Sequence, residues 1–222
     1  MNQDILFPLF LSIKVASIAT FIASTIGILF AKYMARKNGI FTTLLDSFCT
    51  LPLVLPPTVL GYYIILLLGK KGIIGSWLFE IGIQLMFTWQ GATIACTVVI
   101  FPLVYKYART AFTQVDTKLE QSARTLGSCE IKIFFTISLP LAWKGIMVGI
   151  ILAFARGLGE FGATLMIAGN IPYKTQTLAL AIYDAFQNGN DSRATLLVII
   201  TSLICITILC LAELLLGKRK YA

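Results

Sequence analysis

The order of apolar and polar positions divides the chain into five long apolar runs separated by short polar segments. A helix that crosses a bilayer needs about 20 mostly apolar residues, and each run reaches that length. We therefore predict an all-α integral membrane protein in which residues 1–222 form a single domain of five transmembrane helices. The predicted spans cover residues 5–31, 44–68, 85–105, 140–168 and 194–216, with a loop over residues 106–139.

The second predicted span contains three prolines within six residues, Pro52, Pro56 and Pro57. Proline removes a backbone donor and interrupts the helical hydrogen-bond ladder. Free backbone groups at membrane depth are tolerated only where protein covers them or a cavity contains them. The prolines thus indicate either a kink at a helix entrance or part of a transport path. The apolar segments 73–83 and 178–186 are too short to span and are predicted as interfacial, re-entrant or packed surface helices.

Composition supports a membrane protein, because 58% of the residues are hydrophobic, 13% are charged and the mean hydropathy is +0.86. A soluble domain usually has about 45–50% apolar and about 25% charged residues. Disordered chains, coiled coils and ordinary soluble domains are therefore excluded. The net charge of +8 would indicate nucleic acid in a soluble protein, but in a membrane protein it reports topology, and we predict no nucleic-acid partner.

The basic residues predict the orientation, because Lys and Arg concentrate in cytoplasmic loops. Four of the 18 lie on the opposite side, and Lys14 and Arg156 lie inside spans. We therefore predict an outside N-terminus, a cytoplasmic C-terminus and an odd number of spans. The twelve residues on the predicted cytoplasmic side are Lys32, Arg36, Lys37, Lys106, Arg109, Lys118, Arg124, Lys132, Lys144, Lys218, Arg219 and Lys220.

Several kinds of chemistry are excluded by the residue inventory. The chain has no histidine, so histidine general bases and histidine-ligated metals are impossible. Its five cysteines have no zinc-site spacing, and no G-x-x-x-x-G-K-[ST] phosphate-binding loop is present. We predict no catalytic residues, no metal site and no cofactor bound by this chain.

The loop between the third and fourth spans predicts a helix, a glycine turn and a second helix. Asp116 is a suitable N-cap, and Gly127 is a natural helix stop. A second amphipathic segment then leads to Pro140, which opens the fourth span, where a missing N–H is harmless. The loop fits a surface connector and a docking element for a cytoplasmic partner equally well.

This loop closely resembles the EAA loop of ABC importer permeases. Its three-residue element is Gln121-Ser122-Ala123, Gly127 follows at the family's spacing, and Ile137, Leu139 and Pro140 match the terminal I-x-L-P pattern. The acid stands one place early, at Glu120, and a serine replaces an alanine. The resemblance implies that the loop forms a coupling helix, which sits in a groove of the ATP-binding subunit. The implied coupling residues are Glu120, Gln121, Ser122, Ala123, Gly127, Ile137, Leu139 and Pro140.

Residues 51–62, 153–164 and 169–178 extend the resemblance to the molybdate permease subunits of type I-like ABC importers. That resemblance implies a multi-pass permease in the inner membrane of a prokaryote that carries molybdate by alternating access. Its implied partners are a second copy, membrane lipid, an extracytoplasmic molybdate-binding protein and two cytoplasmic ATPase subunits, which bind ATP and Mg. Tungstate or sulfate/thiosulfate permeases are the alternatives within the class, and an ATPase-independent anion channel or carrier is the alternative outside it. A small membrane enzyme is disfavoured by the absence of histidine.

Two ionisable residues lie within the fourth predicted span. Arg156 and Glu160 are four residues apart, which places them on one face of a helix, where they can neutralise each other. They fit a structural ion pair or a gate on an oxyanion path, since guanidinium suits oxyanions. The candidate pathway residues are Arg156, Gly159, Glu160, Pro56 and Pro57.

Overall fold

The structure, a computed structural model, describes residues 2–216 and the side chains of residues 4–214. The described part contains eleven α-helices and one π-helical turn and has no strand, so the all-α prediction is confirmed. Lys218, Arg219 and Lys220, which contribute to the predicted orientation, lie outside the described residues.

The helices have the following bounds in chain order. They are α1 Asn2–Met34, α2 Ile40–Val54, α3 Pro57–Leu68, α4 Ile73–Glu80, α5 Trp89–Thr113, α6 Thr117–Thr125, α7 Glu130–Ile133, the π turn Phe134–Ser138, α8 Leu139–Leu158, α9 Gly162–Ala168, α10 Leu178–Gln187 and α11 Asp191–Leu216.

Helix α5 is the centre of the bundle and packs against both α1 and α8, which also contact each other. Of its most apolar stretch 61% is buried, against 6% for α11. Small residues permit the close approach, since a methyl added to Gly149 of α8 would lie 2.6 Å from Tyr107 Cβ. Met34 and Phe112 pack together at one end of the bundle, which we name the loop end because α6 follows it. We name the other end, where α1 begins, the distal end.

Four helical stretches of the described chain are long and apolar enough to cross a membrane: Asp4–Met34, Trp89–Thr113, Glu130–Leu158 and Asp191–Leu214. The bent pair α2 and α3 makes a fifth if it is counted as one span. The span predicted over residues 85–105 begins later, at Trp89, and continues to Thr113, so residues 106–113 belong to α5 and not to the predicted loop 106–139.

The segment predicted as one span over residues 44–68 is two helices that meet at an angle of 115°. Leu55 has an extended backbone with ψ 140, and Pro56 has ψ 138. A residue that precedes proline is driven out of the helical region, and here two consecutive residues precede prolines. The helix therefore ends at Val54 and restarts at Pro57, where the missing N–H costs nothing.

The segment predicted over residues 140–168 is also broken. Its helix begins earlier, is continuous from Glu130 through the π turn, and ends at Leu158. The backbone angles of Gly159 (φ -93°, ψ 11°) and Phe161 (φ -124°, ψ -58°) are not those of an α-helix, and the shorter helix α9 begins after them. Glu160 thus lies beyond the end of the helix that carries Arg156, and not on that helix as predicted.

The two short apolar segments are both helical, as α4 and α10. Of the three predicted alternatives, α10 is a packed helix, since Leu178 and Ala181 are buried against Leu197 of α11. Its first N–H, that of Leu178, donates to the Ser12 hydroxyl of α1 at 2.7 Å. Helix α4 packs against α3 and exposes Ile73 and Trp77.

Candidate functional site

The loop helix α6 has well-formed signals at both ends. The Asp116 carboxylate accepts the Lys118 N–H at 2.9 Å as an N-cap. At the other end the N–H of Ser128 donates to the Ala123 carbonyl at 3.0 Å, and that of Gly127 to Arg124 at 2.9 Å. This pair of bonds is a Schellman motif, and it requires the φ of +80° that Gly127 adopts. The predicted cap and stop are confirmed.

Helix α6 turns most of its side chains away from the protein. Gln121 and Ser122 are exposed, Ala123 is half-buried, and Leu126 just beyond the helix is 85% exposed. Ile131 and Phe135 of the following segment are also exposed, whereas Phe134 packs against Phe112 of α5. The loop therefore presents an apolar and polar surface that no part of the described chain covers.

Glu120 is the exception, because its side chain is only 4% exposed. One carboxylate oxygen accepts Lys32 Nζ at 2.6 Å and the Ser138 hydroxyl at 2.8 Å. The guanidinium groups of Arg36 and Arg124 lie 3.6 Å and 4.0 Å from the other oxygen. Burial raises the pKa of Glu120, but the hydrogen bonds from Lys32 and Ser138 and the nearby cations outweigh it and hold that pKa below its usual value.

The I-x-L-P residues lie in and directly after the π turn that precedes α8, with Ile137 in the turn and Leu139 and Pro140 at the start of α8. The Leu139 N–H donates to the Phe134 carbonyl, five residues back, in place of the usual four. A proline ring in a regular helix clashes with the carbonyl four residues before it, and the wider π turn directly precedes the turn that contains Pro140. Ile137 is half-buried in this turn, and Ser138 at its end is completely buried and faces Glu120.

The two broken helix pairs touch at their breaks. A methyl added to Gly162, the first residue of α9, would lie 2.9 Å from Pro57 Cβ, the first residue of α3. The two helices continue side by side, since Gly61 of α3 lies against Met166 of α9. Pro57 is therefore beside the α8–α9 break, while Pro56 is exposed.

Arg156 and Glu160 meet at the same place. Nη1 of Arg156 lies 2.9 Å from Oε2 of Glu160, and their side chains are 42% and 2% exposed. The other carboxylate oxygen accepts the Ala163 N–H at 3.0 Å, so Glu160 also caps the start of α9. The ion pair predicted from the spacing is present, and the exposed Gly159 lies between its two members.

The structure thus forms two separate sites from the predicted residues: the Glu120 site at the loop end and the Arg156–Glu160 site between the breaks. Lys32 and Ser138 of the first site were not predicted. In the sequence Lys32 is one of the basic residues that predict orientation, and nothing in a serine near a span entrance signals a buried contact with a carboxylate 18 residues earlier. Within the described residues, no three Cys, Asp or Glu side chains lie close enough to hold a metal ion.

Comparison with known proteins identifies the same class of protein as the loop resemblance does, the permeases of binding-protein-dependent importers. The family model "binding-protein-dependent transport system inner membrane component" matches residues 23–220. The molybdenum transport system permease protein ModB of Escherichia coli K12 is 45% identical over 205 residues, which is 91% of this chain and 90% of that protein. The putative molybdenum transport system permease protein YvgM of Bacillus subtilis is 44% identical over 84% of this chain and 83% of that protein. The sulfate transport system permease protein CysW of Synechocystis is more distant, with 32% identity over 92% of this chain and 74% of that protein.

Solved structures share the fold at low sequence identity. A bacterial alginate ABC transporter, solved with its alginate-bound periplasmic protein, aligns over 98% of this chain and 80% of that chain with a TM-score of 0.77 at 15% identity. The methionine ABC transporter MetNI aligns over 96% of this chain and 94% of that chain with a TM-score of 0.69 at 14% identity. The chain therefore shares the overall fold of these structures. The family model that matches residues 23–220 shows that the chain is a member of the family of binding-protein-dependent transport system inner membrane components.

Proposed function

We propose that this chain is the permease subunit of an ATP-driven importer that carries molybdate across the cytoplasmic membrane of a prokaryote. The main support for molybdate as the substrate is the 45% identity to the Escherichia coli molybdenum permease over most of both chains. The 32% identity to the sulfate permease makes sulfate and thiosulfate weaker candidates. Tungstate is the second candidate, because it is a tetrahedral dianion like molybdate.

The uncovered surface of α6 and of the residues that follow it supports docking of two cytoplasmic ATPase subunits, one on each of two permease copies. Leu126 and Ile131 are 85% and 72% exposed, which is unfavourable in water and favourable under a partner. ATP and Mg belong to the ATPase, since the sequence lacks a phosphate-binding loop. The permease is a transport subunit and not an enzyme.

The orientation follows from the same assignment. If the ATPase binds α6, the loop end is cytoplasmic, and α1 begins outside. The distal end, with Asp4, Tyr173 and Arg193 in contact, then faces the extracytoplasmic molybdate-binding protein. The alginate transporter of the same fold was solved with a periplasmic protein, which supports such a partner for this chain.

The breaks between α2 and α3 and between α8 and α9 support the position of the pathway. Interrupted helices at membrane depth are tolerated where protein or a cavity surrounds them. At the break between α8 and α9, the side chain of Arg156 is 42% exposed. A guanidinium can bind a tetrahedral oxyanion through paired N–H donors. We place the pathway beside Arg156, Gly159, Glu160, Pro56 and Pro57, between two copies of the chain, with α9 and α3 moving relative to α8 during alternating access.

Reconstitution tests the proposal. The chain, the ATPase and the binding protein are incorporated into or added to lipid vesicles, and uptake of labelled molybdate is measured with and without ATP. We expect uptake that needs all three proteins and ATP, and competition by tungstate exceeding that by sulfate. Uptake by the permease alone would instead identify an ATPase-independent channel or carrier.

A further inference from the structure

Helix α6 is attached to the rest of the protein in an unusual way. A surface helix usually turns an apolar stripe toward the core. Within Thr117–Thr125, all of which the structure describes, Glu120 is the one buried residue. The side chain that faces inward is therefore a carboxylate, and charge and hydrogen bonds hold the helix where apolar contacts usually do.

The contacts of that carboxylate lead to two membrane helices. Lys32 lies in the last turn of α1 and donates both to Glu120 at 2.6 Å and to the Ser138 hydroxyl at 2.8 Å. Ser138 in turn donates to Glu120 and is followed directly by the first residue of α8. The three polar groups form a closed triangle where α1, α6 and the start of α8 meet, in which Glu120 and Ser138 are buried and the Lys32 side chain is 22% exposed.

We propose that Glu120 is a positioning residue that fixes α6 to α1 and α8, so that movement of α6 passes to the membrane helices through this carboxylate. The proposal rests on the proposed function, because an ATPase subunit bound to α6 generates the movement. Hydrogen bonds are directional, and a buried carboxylate that left its partners would lose all compensation for its desolvation. A shift of α6 therefore carries the ends of α1 and α8 with it.

The packing of the bundle extends this effect. Helices α1 and α8 both pack along α5, and they also contact each other. A displacement delivered to the loop ends of both is thus delivered to the core of the bundle as one unit. At its far end α8 carries Arg156, beside the break at which α9 begins. The Glu120 site is in this way connected to the Arg156–Glu160 site by a single uninterrupted helix.

The competing explanation is that Glu120 contacts the ATPase directly. The structure gives it four internal partners and leaves 4% of its side chain exposed. The residues at the family's three-residue element that do face outward are Gln121 and Ser122. The geometry assigns contact with the partner to those side chains and assigns attachment of the helix to Glu120.

The test uses the complete complex with two substitutions on opposite sides of the ion pair, Glu120→Gln and Lys32→Met. Glu130→Gln is the matched control, because Glu130 is a loop carboxylate that also pairs with a cation, Arg124, but is 68% exposed. Three quantities are measured: co-purification of the ATPase, kcat and KM for ATP, and molybdate taken up per ATP hydrolysed in vesicles.

We expect both variants to bind the ATPase and keep its KM, while uptake per ATP falls about tenfold, within the usual range of coupling between sites. The double variant Glu120→Gln/Lys32→Met is expected to be no worse than either single variant, because both remove the same interaction. The Glu130→Gln control is expected to keep the normal ratio of uptake to ATP hydrolysis.

Two outcomes would overturn the proposal. One is loss of ATPase binding in Glu120→Gln but not in Lys32→Met, which would identify Glu120 as a direct contact. The other is an unchanged uptake per ATP in both. If Glu120→Gln does not accumulate in the membrane, Ser138→Ala replaces it, since this change keeps both charges, and an unchanged ratio there also overturns the proposal. Failure of the unsubstituted complex to bind the ATPase or take up molybdate would contradict the proposed function instead.

Discussion

Arg156 and Glu160 form an ion pair whose two members have very different exposure: 42% of the arginine side chain is exposed and only 2% of the glutamate side chain. The carboxylate has two structural contacts, because it also accepts the Ala163 N–H. The guanidinium keeps part of its donors available for another partner. At this scale the structural and the transport roles of the pair can be separated by experiment.

We predict that Arg156→Ala lowers the free energy of unfolding by about 2–3 kcal/mol, somewhat less than a fully buried pair because the guanidinium is partly exposed. Adding Glu160→Gln removes the unpaired charge and is expected to restore most of that stability without restoring transport. Lys14→Ala, which removes a cation–π contact with Trp89 at 3.8 Å, is expected to cost about 0.5–1 kcal/mol. Thermal unfolding in detergent and vesicle uptake provide the two readouts. Recovery of transport in the double variant would exclude a role for Arg156 in the anion path.

At the scale of elements, the ends of helices determine how the two sites form. Helix α6 ends at a glycine of positive φ, α3 begins at a proline, and α9 begins at a glycine in contact with that proline. The two ends formed by glycines, Gly127 and Gly162, can each be changed by one methyl group, and the chain contains a matched control for each.

Gly127 and Gly82 have nearly the same backbone strain and surroundings. Their φ angles are +80° and +81°, and a methyl added to either meets nothing within 4 Å. Each alanine substitution is therefore expected to cost about 1–2 kcal/mol of local strain. Only Gly127→Ala should reduce coupling between ATP hydrolysis and uptake, because only Gly127 ends α6. Equal loss of coupling in Gly82→Ala would contradict the assignment of the loop. Gly127→Pro should abolish coupling, since proline cannot adopt a positive φ.

Gly162 and Gly159 allow a similar comparison at the break. A methyl at Gly162 would lie 2.9 Å from Pro57 Cβ, whereas the nearest atom to a methyl at Gly159 is 3.9 Å away. We predict that Gly162→Ala separates α3 from α9, costs about 1–3 kcal/mol as an overpacked contact and reduces uptake. Gly159→Ala should fold normally, as measured by thermal unfolding. A destabilisation of Gly159→Ala equal to that of Gly162→Ala would show that conformational freedom, and not packing, is what the break needs.

At the scale of the whole molecule, the two ends of the bundle differ in which exposed residues they offer to a label that cannot cross the membrane. Cys129 is exposed on the loop, and Asn188 is exposed in the turn between α10 and α11 at the distal end. We predict that a membrane-impermeant maleimide labels Cys129 only after the membrane is opened, and labels an Asn188→Cys variant in intact cells. The other cysteines are replaced for this measurement. Labelling in the reverse pattern would invert the topology.

Much of the architecture could be predicted from the sequence, because hydropathy and capping act locally. The all-α class, the cap at Asp116, the stop at Gly127 and the ion pair of Arg156 all follow from neighbours within a few residues. The breaks were harder, since the prolines predicted an interruption but not a turn of 115°. The partnership of Lys32, Glu120 and Ser138 joins residues up to 106 positions apart, and only tertiary packing brings them together.

The length of α1 has a consequence for the lipid that surrounds the protein. The helix has 33 residues and is about 50 Å long, while Asp4 and Lys32 are about 42 Å apart along its axis. A bilayer has a hydrocarbon core of about 30 Å and is about 40–45 Å thick with its headgroups, so both charges fall at headgroup level. A thinner bilayer would increase the tilt of α1 and a thicker one would decrease it, and both changes would move Lys32 relative to that level. Acyl-chain length should therefore change molybdate uptake per ATP, and uptake that is equal in short-chain and long-chain vesicles would contradict this expectation.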